Sequence, residues 1–97
     1  MNKVRMELIM SEAIQEEFLT DIDMACPGIK YTQVVDAKGR GNTTPKQGDA
    51  IWPQFNTIIT IYCSREEAAR VLIIAKSLRQ KFPTEGVACF RSEAEEL

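Results

Sequence analysis

Histidine is missing from all 97 residues of the chain. With it go His-based general acid–base chemistry, Ser-His and Cys-His nucleophile pairs, and the commonest transition-metal ligand. Cysteine is scarce and odd in number: Cys26, Cys63 and Cys89, with no C-x-x-C spacing. That is a poor basis for a disulfide framework or a zinc site. Cys63 and Cys89 fall in apolar, strand-like contexts and read as buried reduced thiols. No apolar run approaches the roughly 18–20 residues needed to span a bilayer. The start, Met1-Asn2-Lys3-Val4-Arg5-Met6-Glu7, lacks the apolar h-region of a signal peptide. A basic excess is lacking too: the net charge of −2 weighs against general nucleic-acid binding. The expectation from these absences is a cytoplasmic protein with no membrane span and no nucleic-acid partner.

What remains is an ordinary globular composition, 44% hydrophobic and 27% charged. Val4, Met6, Leu8 and Met10 alternate with Lys3, Arg5, Glu7 and Ile9, the period-two pattern of a half-buried strand. Ser11 is placed to cap a following helix, with Glu12 complementing its dipole. Ile14, Phe18, Ile22 and Ala25 recur at helical spacing, and Pro27-Gly28 ends that helix. Residues 29–36 suit a second strand, residues 57–63 a third, and residues 87–91 a short fourth. Ser64 and Glu67 form a capping box. It opens a second helix whose stripe is Ala68, Val71, Leu72, Ala75, Leu78 and Phe82, stopped by Pro83. The acidic tail, residues 92–97, is expected to fray or to add a turn.

The order β-α-β-β-α-β is that of a ferredoxin-like α+β sandwich, a four-stranded antiparallel sheet with both helices on one face. No linker or low-complexity segment divides the chain, so residues 1–97 read as a single domain. In such a sheet the third strand offers two apolar sets, Ile59, Ile61 and Cys63 against Ile58, Thr60 and Tyr62. One of them faces away from the helices, and an exposed apolar patch of that kind predicts self-association.

Between the second and third strands lies a long basic loop, residues 38–50, which opens Lys38-Gly39-Arg40-Gly41 and carries Lys46 further on. Paired strands are usually joined by two to five residues, and longer loops are usually functional. Its cations suit charge-assisted bonds to a phosphate or carboxylate. The Ile9-Met10-Ser11-Glu12 junction has no arginine for an acylphosphatase-type phosphate loop, and the glutamates read as solvated helix faces and caps rather than a catalytic pair. An RNA-binding sheet face would need stacking aromatics that Tyr62 alone does not supply.

The element order, the long loop and the Lys38-Gly39-Arg40-Gly41 run within it are together similar to the PII signal-transduction family of nitrogen regulation, over residues 3–91. The likeness is greatest to small PII-like homologues. It implies a non-catalytic regulatory homotrimer that binds a small anionic effector, an adenine nucleotide, in clefts between subunits. It also implies that the loop, the family's T-loop, contacts a target protein. Ligand-binding roles fall on Lys38, Gly39, Arg40, Gly41 and Thr43, with Glu85 and Gly86 in a second loop before the fourth strand. Partner contacts fall on Thr44, Lys46 and Gln47. No other cofactor and no metal is implied. Three departures bear on tight ATP binding and on covalent loop modification. Val87 stands where the family has a phosphate-binding lysine. The chain runs into Glu93, Glu95 and Glu96 where the family has basic residues. Residues 38–50 contain no tyrosine. The alternative is a CutA-like divalent-metal-binding trimer, with Cys63 and Cys89 as soft ligands.

Overall fold

Strand β1 (Asn2–Ser11) is central, and its alternation is what lays down the core. The computed structural model describes residues 2–41 and 54–97. In chain order the further elements are a 3-10 turn (Glu12–Ile14), α1 (Gln15–Ala25), β2 (Thr32–Ala37), β3 (Asn56–Cys63), α2 (Arg65–Lys81) and β4 (Val87–Glu95). The sheet order is β2-β3-β1-β4 and every pairing is antiparallel. This is the expected ferredoxin-like arrangement.

Register decides which face is buried. Val4, Met6, Leu8 and Met10 lie opposite Cys63, Ile61, Ile59 and Thr57, and all eight are buried. Onto this face pack Ile14, Phe18 and Ile22, together with Ala68, Val71, Ala75 and Leu78 of α2. The helices therefore cover one side of the sheet only. Helix α2 starts at the predicted capping box, in which Ser64 Oγ accepts from the Glu67 amide and the Glu67 carboxylate accepts from the Ser64 amide. Arg79 and Lys81 lie in its last turn, complementing the carbonyl end of the dipole. Lys81 also pairs with Glu17, which ties α2 to α1 and raises the lysine pKa.

The uncovered face settles the third-strand question: Ile58, Thr60 and Tyr62 are the outward set. Val34, Ile58, Ile9 and Ala88 are in register, so one apolar row crosses all four strands. Beside it Phe90 is 57% exposed and Tyr62 54%. Arg5 donates to the Glu7 carboxylate at 2.9 Å and bonds Tyr62, and both contacts raise the arginine pKa.

Four boundaries differ from expectation. Strand β4 does not stop at residue 91; it runs to Glu95, because β1 already offers backbone from Asn2 onward and Asn2 pairs with Glu95. The acidic end is held by Arg65 to Glu93 and by Lys3 to Glu96 at 3.7 Å. The α-helix begins at Gln15, not after Ser11, because Ser11 Oγ caps the 3-10 turn at the Ala13 amide. The apolar stripe of α1 ends on buried Cys26 instead of Ala25, continuing the four-residue spacing of Ile14, Phe18 and Ile22. Strand β2 begins at Thr32, since the Ile29 amide is used in a turn to the Cys26 carbonyl with Gly28 at φ +76°.

All three cysteines are free thiols, with Cys26 and Cys63 buried and Cys89 half-buried. Burial pushes the Cys63 thiol above its usual 9.0, with Glu67 and Cys26 acting in the same direction. Burial also raises Cys89, while the charge of Arg79 works against it. A folded-state pKa above the unfolded one means stability is complete below the unfolded pKa and declines as pH rises above it. The urea midpoint is therefore expected to fall between about pH 8 and about pH 10, and to fall less in Cys63→Ala. An equal fall in both proteins would remove Cys63 as the cause.

Candidate functional site

The base of the long loop is built by polar groups that tie it to the start of α1. Strand β2 breaks register between Val34 and Ala37, and Asp36 there takes φ +58°, a conformation Asp tolerates better than most residues. The Asp36 amide donates to the Glu12 carboxylate at 2.6 Å. The Glu12 amide donates to the Phe55 carbonyl at 3.0 Å. One residue thus holds both legs of the loop. A rung below, Gln33 Nε2 donates to Gln15 Oε1 at 2.8 Å and to Thr57 Oγ1 at 2.9 Å, and Thr57 Oγ1 donates to the Val34 carbonyl at 3.3 Å.

Gly39 sits against the other leg. A Cβ at this position would meet Asn56 Nδ2 at 2.7 Å, while a Cβ at Gly41 meets nothing. Neither glycine has positive φ, so Gly39 is used for close approach and not for backbone freedom. Lys38 and Arg40, on either side of it, are both exposed, whereas Gly39 is half-buried. Thr43, Thr44, Lys46 and Gln47 lie outside the described residues.

Glu85 and Gly86 are half-buried in the turn between α2 and β4, where the Glu85 amide donates to the Phe82 carbonyl at 3.0 Å. Register places both loops at one end of the sheet. Ala37 pairs with Asn56, Asn56 with Ser11, and the neighbouring Met10 with Val87. The two glycine-bearing loops are on opposite edge strands, about 14 Å apart across three strand spacings. They share an end of the sheet. The 85–86 turn opens on a cavity of about 480 Å³ whose lining includes Arg79, Glu85, Gly86, Cys89 and Phe90. Arg79 donates through Nε and Nη2 to the Val87 carbonyl at 3.3 and 3.1 Å.

A second cavity, of about 490 Å³, opens at the other end of the sheet, among Lys3, Lys30, Tyr31, Thr32, Tyr62 and Glu95. Sequence reasoning singled out neither Lys30 nor Arg79, and gave Glu12 only a dipole role. Nothing periodic marks Lys30. For Arg79 the available signal was a basic residue in the last helical turn, just before the glycine turn. The bond from Asp36 to Glu12 joins residues 24 apart in sequence and had no local signal.

The class of fold is that of PII-like proteins. CPII of Thiomonas intermedia K12, in a structure bound to ADP and bicarbonate, superposes with a TM-score of 0.77 at 19% identity, covering 97% of this chain and 87% of that one. The same protein bound to ADP, AMP and bicarbonate gives a TM-score of 0.73 at 17% identity, covering 97% and 91%. A PII-like signaling protein of Thermus thermophilus gives 0.66 at 18% identity, covering 96% and 86%. At this identity the likeness is one of fold. No protein-family model matches the sequence, and no curated protein matches it. Among the described residues no helix is long and apolar enough to cross a membrane.

Proposed function

We propose that this chain is a non-catalytic PII-like regulatory protein of the cytoplasm, a single domain that acts as a homotrimer. It binds a small anionic effector, an adenine nucleotide, at clefts between subunits, and the 38–50 loop carries the response to a target protein. The observation behind this reading is the gathering of two glycine-bearing loops at one end of the sheet, one of them flanked by Lys38 and Arg40. Surface cations beside a glycine backbone suit a phosphate or carboxylate. The edge strands β2 and β4 that lead to Gly39 and from Gly86 stand about 14 Å apart across the sheet, which favours a cleft completed by a neighbouring subunit. The bare sheet face, with its row Val34, Ile58, Ile9 and Ala88, is the surface for that assembly. The fold shared with nucleotide-bound CPII supports the choice of ligand class. The divalent-metal alternative finds no group of three His, Cys, Asp or Glu side chains among the described residues.

Light-scattering mass with calorimetry, with and without ADP and AMP, tests the proposal. A mass of three chains together with saturable ADP binding is the expected result. A trimer that binds no nucleotide would overturn the ligand class, and a monomer would overturn the cleft.

A further inference from the structure

We propose that Arg79 is the cationic contact on the second arm of the site, taking an anionic oxygen of the effector in the cavity beside the 85–86 turn. This deepens the nucleotide-binding reading above and rests on it.

Among the described residues, Arg79 is the one cation in the lining of that cavity. A guanidinium carries five N–H donors. Here Nε and Nη2 converge on a single acceptor, the Val87 carbonyl, which leaves donors over. No carboxylate lies within ion-pair reach of Arg79 among the described residues. The guanidinium is therefore held in place by backbone and forms no ion pair among the described residues. An arginine anchored in this way loses little further freedom when it binds a ligand.

The surroundings fit an anion with hydrogen-bonding groups attached. Cys89, in the same lining, has its thiol pKa raised by burial, so at neutral pH it carries no charge to compete for Arg79. Among the described residues strand β4 pairs with β1 alone, at the edge of the sheet, so its outer backbone donors are not used there. Glu85 and Gly86, in the same lining, belong to the turn itself. A cation beside an edge of backbone donors suits an anionic oxygen carried by a group that itself accepts hydrogen bonds. The position after Gly86 is Val87, which brings no charge of its own. The charge instead arrives from the helix: Arg79 reaches the turn from eight residues upstream.

The test titrates wild type, Arg79→Gln and Arg79→Lys with ADP and with adenosine. Arg79→Gln keeps a donor for the Val87 carbonyl but removes the charge. It is expected to weaken ADP about tenfold to a hundredfold, the range of one charge-assisted hydrogen bond, and to leave adenosine unchanged. Arg79→Lys is expected to keep part of the ADP affinity. An ADP affinity for Arg79→Gln within about twofold of wild type overturns the inference and leaves the nucleotide reading standing. Equal losses for ADP and adenosine also overturn it, because they mark a structural role. If wild type binds neither ligand, the nucleotide reading fails, and inorganic pyrophosphate followed by the Gly86 and Val87 amide shifts decides the inference. Shifts in wild type that vanish in Arg79→Gln support Arg79 as an anion contact; no shifts in wild type overturn it.

Discussion

Phe18→Ala is expected to remove a large part of the protein's stability. Phe18 is fully buried at the centre of the α1 stripe, in the cluster that joins both helices to β1 and β3. Truncating a buried phenylalanine costs about 3–5 kcal/mol, through lost transfer energy and the cavity left behind. A domain of this size is stable by about 5–15 kcal/mol in total. At roughly 4–8 °C per kcal/mol, the thermal midpoint should drop by at least about 12 °C. Met24→Ala is the matched comparison on the same helix: Met24 is 77% exposed. Its change should stay within about 0.5 kcal/mol. Calorimetric scans of the two variants check both statements. A small drop for Phe18→Ala would mean that α1 does not carry the core as described.

The second large effect concerns the loop base. Lys38→Ala combined with Arg40→Ala is expected to weaken ADP binding at least about a hundredfold. Each charge-assisted hydrogen bond to an anion is worth about 1.5–3 kcal/mol, and about 1.4 kcal/mol is tenfold. Two of them at the lower value give somewhat more than about a hundredfold. The loss should shrink as salt is added, because surface charges are screened. Stability should hardly change, since neither side chain is part of the buried core. Calorimetric titration at low and high salt, beside a thermal scan, separates the two readouts. Unchanged ADP affinity in the double variant would remove residues 38–41 from the site, whatever the outcome at Arg79.

How much of this was legible in the chain follows the range of each interaction. The buried face of β1, the α2 capping box and the stripe Ala68, Val71, Ala75 and Leu78 are local or periodic features. Periodicity of two or of 3.6 exposes such features in a linear string. The length of β4 was not local. Residues 92–95 look like an acidic tail until β1 is seen to supply their hydrogen-bonding partner. The glycines of the loop could be found, but the use of Gly39 could not, because the crowding atom belongs to Asn56 on the far leg. Glu12 and Arg79 escaped for the same reason. Each acts on backbone brought near by folding, at Asp36 and at Val87.

The sequence by itself determined the element order, the buried face of β1, the buried stripe of α2 and the two glycine-bearing loops. Those depend on side-chain period and turn chemistry, which act over a few residues. Tertiary structure alone decided that Ile58, Thr60 and Tyr62 face outward, that Glu12 grips both legs of the loop, and that Arg79 reaches the turn before β4. The reason is strand register: a shift of one residue moves every side chain of a strand to the opposite face. Register is set by pairing between distant segments, not by the residues of one segment.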